Sequence, residues 1–127
     1  MIQKGSLLNV IDNSGAKEAG CIHVFPGFNS RYAFIGSIIV VSIKSLRRRR
    51  KSVLRVKKGD VLRGLVVRTC FRTKDYSGRS SVYLENSIVL LTKQNKFVGT
   101  RVFGPIPRLF RNTRYSRLFS LSSGFIY

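Results

Sequence analysis

Val56-Lys57-Lys58-Gly59-Asp60-Val61-Leu62-Arg63-Gly64-Leu65-Val66-Val67-Arg68-Thr69 decides how this chain is read, together with its return over Tyr83-Leu84-Glu85-Asn86-Ser87-Ile88-Val89-Leu90-Leu91. Lys-Gly-Asp is turn chemistry, because Gly accepts a positive φ and Asp bonds its own backbone. The Val, Leu and Ile that follow suit a pleated, half-buried surface. Two core strands are predicted, Val61 to Thr73 and Val82 to Thr92, joined through a polar loop that turns at Ser77-Gly78. Arg63, Arg68 and Arg72 punctuate the first strand and must reach solvent or a phosphate.

Outward from this hairpin, 127 residues fit one domain. With 43% apolar residues the chain can build one modest core. Lys plus Arg number 24 against 5 Asp plus Glu, a net charge of +19. Such a field repels itself and destabilises the compact state unless a polyanion neutralises it. Nucleic acid is the leading partner and an anionic membrane surface the second. No stretch is apolar and long enough to span a bilayer. Cys21 and Cys70 do not make a disulfide framework and read as small buried hydrophobes in apolar strands. No secretory or transit pattern is read at Met1.

Toward the N-terminus, Ser6 to Ile11 and Glu18 to Phe25 read as hairpin partners across the turn Asp12-Asn13-Ser14-Gly15. After the loop Pro26 to Ser30, Arg31 and Tyr32 set a cation beside a stackable ring, a small unit suited to RNA. Ile35 to Leu46 is a long strand that enters Arg47-Arg48-Arg49-Arg50-Lys51. Five consecutive cations will not fold against themselves. They read as a phosphate-binding arm at the tip of a protruding basic β-hairpin, since Leu54-Arg55-Val56 resumes strand alternation. A disordered solubilising loop is the other reading.

Toward the C-terminus, Phe97 to Phe103 reads as a last short strand, and Gly104-Pro105-Ile106-Pro107 should stop sheet structure because neither proline donates to a ladder. Arg108, Arg111, Arg114 and Arg117 then recur every third residue. On a helix each such step falls about 60° short of a turn, so the four spread over about 180°. Leu109, Phe110, Leu118 and Phe119 occupy the opposite side, and Asn112 or Thr113 could cap a second helix. One or two short C-terminal helices are expected over 105–121, with 1–104 as β structure and 122–127 unassigned.

Catalytic chemistry is missing. Of the five acids, Asp12, Asp60 and Asp75 lie in or beside turns, and no pair has a general-acid and general-base setting. His23 is the only histidine, so Cys21-x-His23 lacks the further ligands a zinc site needs. The glycines form neither a Rossmann nor a P-loop pattern. No enzyme, cofactor or metal is expected. What remains is phosphate contact by Lys and Arg, which positions a protein without reading bases. Most phenylalanines fall in apolar strands or on the core side of the tail, which counts against the alternative of a free single-strand-binding barrel module.

The hairpin stretch closely resembles the diagnostic pattern of the universal large-subunit ribosomal protein family numbered fourteen: Gly64-Leu65-Val66-Val67, Ser77-Gly78, Tyr83, Asn86 and Val89-Leu90. Met1-Ile2-Gln3, Leu8-Asn9-Val10, Asp12 to Lys17, Arg31-Tyr32-Ala33, Ile35-Gly36, Lys57 to Asp60 and Gly99 to Pro105 fit the same family in order. The Arg47 to Lys51 segment is longer and more Arg-rich than the family's usual connection. Pro107, Phe110 and the last six residues also depart from it. The resemblance implies a mainly β fold, a small closed five-stranded β-barrel with short C-terminal helices, bound to large-subunit rRNA. On that barrel Tyr32 has a second reading, as a rim residue. The resemblance further implies a site at the subunit interface, a bridge to small-subunit rRNA, a neighbouring large-subunit protein paired through a β edge, and a docking surface for a ribosome-silencing factor at Thr100, Arg101 and Arg117. The expected RNA contacts are Lys17, Arg31, Tyr32, Arg47, Arg48, Arg49, Arg50, Lys51, Lys57, Lys58, Arg68 and Arg72. Arg108, Arg111 and Arg114 face RNA or the partner subunit. Abundant Phe, Ser, Ile and Tyr beside the cations favour a mitochondrial ribosome over a plastid or bacterial one.

Overall fold

The computed structural model describes residues 1–25, 27, 30–48 and 54–126, with 125 and 126 by backbone alone. In chain order its strands are β1 (Leu7–Val10), β2 (Ala16–Val24), β3 (Ile38–Leu46), β4 (Val61–Arg68), β5 (Thr73–Lys74), β6 (Ser80–Ser81), β7 (Ser87–Leu91), β8 (Val102–Pro107) and β9 (Ser122–Ile126). A 3-10 turn (Arg108–Asn112) and helix α1 (Arg117–Leu121) lie between the last two.

Five strands close a barrel in the order β1-β2-β3-β4-β7. All neighbours run antiparallel except β1 and β7, where Asn9 and Val10 lie beside Ser87 and Ile88 in parallel. The turn before β4 forms as its residues dictate. Gly59 sits at φ 89°, and Asp60 Oδ2 accepts the Lys57 N–H at 2.9 Å. The connection from β3 to β4 carries the basic run. It is tied to the turn at Ser14-Gly15, where the Arg47 and Arg55 N–H groups donate to the Gly15 and Ser14 carbonyls at 2.8 and 3.0 Å. Arg49, Arg50 and Lys51 lie outside the described residues.

Strands β4 and β7 are buried on both faces, not half-buried as the alternation argument had it. Val66, Ile88 and Leu90 point into the barrel with Leu8, Val10, Ile39 and Val41. Leu65, Val67, Val89 and Leu91 point outward into a second core with Val102, Ile106, Phe110, Tyr115 and Leu118. The physical cause is a C-terminal layer over the outside of the barrel at these two strands. Their unbroken apolar runs, Leu65-Val66-Val67 and Ile88 to Leu91, are what sheets covered on both sides require.

That layer corrects the expectation that Gly104 to Pro107 ends sheet structure. Val102–Pro107 is strand β8, paired in parallel with β9, which is built from residues left unassigned by sequence. A two-stranded ribbon tolerates both prolines because each strand has a free edge, and residues two apart present their backbone groups to the same side. Gly104 breaks the register with φ 84°, where an L side chain is strained, and a Cβ there would lie 2.6 Å from Arg68 Nη1 and displace that guanidinium. Of the expected strand Phe97 to Phe103, Val102 and Phe103 fall in β8 and Phe97 makes a single bridge with Leu91. In the tail, Phe110 and Leu118 are fully buried and Phe119 half-buried, but Leu109 stays exposed. Neither Asn112 nor Thr113 caps α1, whose N-cap is Ser116 without a side-chain bond; Thr113 instead ends the 3-10 turn, its hydroxyl donating to the Phe110 carbonyl and accepting the Tyr115 N–H. Cys21 is buried as expected, but Cys70 lies past the end of β4 and is exposed.

Candidate nucleic-acid interface

Most of the expected contacts stand in solvent. Lys17 projects from β2, Lys57 and Lys58 from the turn before β4, and Arg72 from the link before β5, all exposed. Arg31 and Tyr32, also exposed, lead into Ala33, which pairs with Ile2 through two backbone hydrogen bonds of 3.0 and 2.7 Å. That bridge anchors the backbone directly after the cation and the ring. Arg48 is exposed. Arg108, Arg111, Arg114 and Arg117 all face outward, anchored by Phe110 and Leu118 beneath them.

Arg47 and Arg68 are different. They sit in the seam between the barrel and the C-terminal layer. Arg68 pairs with Glu85 at 3.2 Å and donates to the Phe103 carbonyl at 3.4 Å, with 11% of its side chain exposed. Arg47 donates to the Val10 carbonyl at 2.8 Å and lies over the Phe103 ring. Their guanidiniums face the protein's own oxygens and ring. Arg63 is likewise held, donating to Asn95 Oδ1 at 2.9 Å beside the Phe25 ring. Lys17 and Arg47 share one shallow depression with Asn9 and Glu85.

Thr100 and Arg101 are exposed and positioned by Asn13. Asn13 Oδ1 accepts the Thr100 and Arg101 N–H groups at 2.8 and 3.3 Å, and its amide donates to Thr100 Oγ1 at 2.9 Å. The pairing of Val102 with Ser122 brings Arg101 to the C-terminal end of α1, whose first residue is Arg117.

The acids are turned to internal work. Asp12 is wholly buried, takes the Leu90 N–H at 3.0 Å and the Ser14 N–H at 3.1 Å, and is bonded by the Ser14 hydroxyl. Burial pushes its carboxyl above the ordinary range despite those bonds and the nearby Arg47. Glu85 accepts from Asn9 and Ser87 as well as Arg68. Burial alone would raise it, but the two hydrogen bonds and the Arg68 charge together hold it below its usual value. Glu18 accepts from the Ser45 hydroxyl and Asp60 from its own turn. With 24 cations against 5 acids, and four of those acids bonded within the fold, the outer surface is left strongly positive.

Sequence reasoning missed the buried Asp12, which knots the first turn to β7 by the Leu90 bond. Its only signal is the Asx spacing to Ser14. It also missed Tyr76, fully exposed at the tip of the β5–β6 hairpin beside Lys74 and Arg79. Among the described residues no three His, Cys, Asp or Glu converge as a metal site would need, and no helix is long and apolar enough to cross a membrane.

Compared with known families, residues 1–126 match a family model described as Ribosomal protein L14p/L23e.

Proposed function

The chain belongs to the ribosomal protein L14p/L23e family, and from that membership we propose its contacts within the ribosome. As a member it is a structural component of the large ribosomal subunit, serving translation in a family that is structural and not enzymatic. Beyond that, it binds large-subunit rRNA through phosphate and shape contacts made by Lys17, Arg31, Tyr32, Arg48, Lys57, Lys58 and Arg72. Arg49, Arg50 and Lys51 extend that surface by sequence. Arg108, Arg111 and Arg114 face RNA or the small subunit. The chain sits at the subunit interface, contributes to a bridge with small-subunit rRNA, and pairs through a β edge with a neighbouring large-subunit protein. Thr100, Arg101 and Arg117 form a docking surface for a silencing factor. Composition favours the mitochondrial ribosome over a plastid or bacterial one.

The observation that carries the RNA reading is the division of charge. Four of the five acids are bonded within the fold, while most of the described cations stand outside it. A surface so charged meets its partner by counter-ion release, and affinity falls steeply with salt. The test is a sucrose gradient of organelle or cell lysate at low magnesium and moderately high salt. Migration with the isolated large subunit is expected. Migration at the top would point to a free single-strand-binding module instead. Arg101→Ala is expected to weaken pull-down of a silencing factor without loss from the subunit; unchanged capture would remove that docking assignment.

A further inference from the structure

The β5–β6 hairpin ends in a three-residue loop, Tyr76-Ser77-Gly78. The Gly78 N–H donates to the Asp75 carbonyl at 3.0 Å, the Asp75 N–H to the Arg79 carbonyl at 2.8 Å, and Gly78 sits at φ 77°. This is a tight turn closed by a left-handed residue, and it lifts the residue after Asp75 clear of the body. Tyr76 therefore stands fully in solvent on a backbone held by the turn. Single exposed apolar residues are ordinary, but this one lies at the mouth of a groove.

The groove has a volume of about 380 Å³ and runs between the hairpin, the segment Phe34-Ile35 and the start of the 3-10 turn. Its apolar walls include three exposed side chains from separate parts of the chain, Phe34, Tyr76 and Leu109. Its charged lining is Lys74, Arg79 and Arg108 against the single acid Asp75. Tyr83 closes part of the wall at 8% exposure, and its hydroxyl has no hydrogen-bond partner among the described residues. Planar apolar surface and a cationic margin are two elements that recognise a nucleotide: one takes the base and the other the phosphate. An apolar protein segment would match only the first. A base-paired helix could not enter a groove of this size, but one splayed nucleotide can.

We propose that this groove takes a single unpaired nucleotide of the bound RNA, its base stacked on Tyr76 along the wall of Phe34 and Leu109 and its phosphate toward Lys74, Arg79 and Arg108. The site deepens the rRNA-binding function proposed above and rests on it. It adds a second stacking ring to contacts that are mostly to phosphate.

The test uses the full chain bound to large-subunit rRNA, with Tyr76→Ala and Tyr76→Phe. Tyr76 lies in solvent, so equal thermal midpoints are expected for all three proteins. Tyr76→Ala lowers affinity about tenfold, the scale of one stacked base. Its salt dependence matches wild type, because no cation is removed. One unpaired base that wild type protects from chemical modification becomes reactive, and Tyr76→Phe restores both affinity and protection. Ultraviolet irradiation of the wild-type complex attaches a nucleotide to the tryptic peptide Asp75–Arg79. Unchanged affinity and footprint for Tyr76→Ala would overturn the site. So would a Tyr76→Phe variant as weak as Tyr76→Ala, or a loss confined to a neighbouring protein while RNA affinity holds. Failure of the wild-type chain to bind rRNA at all would instead overturn the RNA reading, and this site with it.

Discussion

At the seam between the barrel and the C-terminal layer, Arg68 meets Glu85 at 3.2 Å and the Phe103 carbonyl, with Gly104 pressed against its guanidinium. In the turn before β4, Lys58 meets only water, and the one acid nearby, Asp60, is bonded to the Lys57 backbone. The two cations stand at opposite ends of the same strand and look alike in sequence. What separates them is what the rest of the chain places opposite. The seam offers a half-exposed carboxylate and a carbonyl to a largely buried guanidinium, where removal of one partner is costly. The turn offers high dielectric and mobile ions, where a cation contributes little to folding and is available to a phosphate.

The largest disturbance comes from behind the seam. Phe110→Ala empties the second core, of which Phe110 is the largest fully buried side chain. A loss of about 3–5 kcal/mol is expected in denaturant unfolding. Arg68→Ala should follow, at about 2 kcal/mol. The full cost of breaking a buried pair is discounted because the Glu85 side chain is 41% exposed. Lys58→Ala should leave the unfolding midpoint where it is. A Lys58→Ala loss as large as that of Arg68→Ala would erase the distinction between the two regions.

The smallest effect sharpens the seam by pH. The folded Glu85 carboxyl lies below its ordinary value of 4.5, so its stabilisation is fully present above that value and is lost as pH falls through the lower folded pKa. Wild type should therefore be more stable than Glu85→Gln at neutral pH, and the two thermal midpoints should converge in acid. Asp12 runs the other way. Its raised folded pKa means that the folded chain takes up its proton first, so acidification favours folding through this group. Asp12 is present in both proteins and cancels in the difference.

The strands of the barrel were legible because they announce themselves locally, while their closure was implied by the family resemblance. Leu8 and Val10 alternate, Gly59-Asp60 turns, and Ile39 and Val41 fall on the buried face of β3. The second layer was not, because nothing local in Pro105-Ile106-Pro107 says that residues 122–126 will lie beside it. The clue was the lack of a polar face in Leu65-Val66-Val67 and in Ile88 to Leu91, which calls for a cover on each side. The interface was legible as charge and not as geometry. Composition supplied the cations, but only the fold shows that Arg47 and Arg68 face inward while Lys17, Lys57, Lys58 and Arg72 face outward. Tyr76 was hidden by its setting, since a tyrosine in a polar turn reads as loop until the groove behind it is seen.

The measurement that tests the division of charge most directly is the salt dependence of binding to large-subunit rRNA, taken for wild type, Arg68→Ala and Lys58→Ala below the unfolding temperature of each. Arg68→Ala should keep the wild-type slope of log affinity against log salt, since its guanidinium is held by Glu85 and the Phe103 carbonyl. Lys58→Ala should lower that slope by about one. A reduced slope for Arg68→Ala with an unchanged slope for Lys58→Ala would contradict the account.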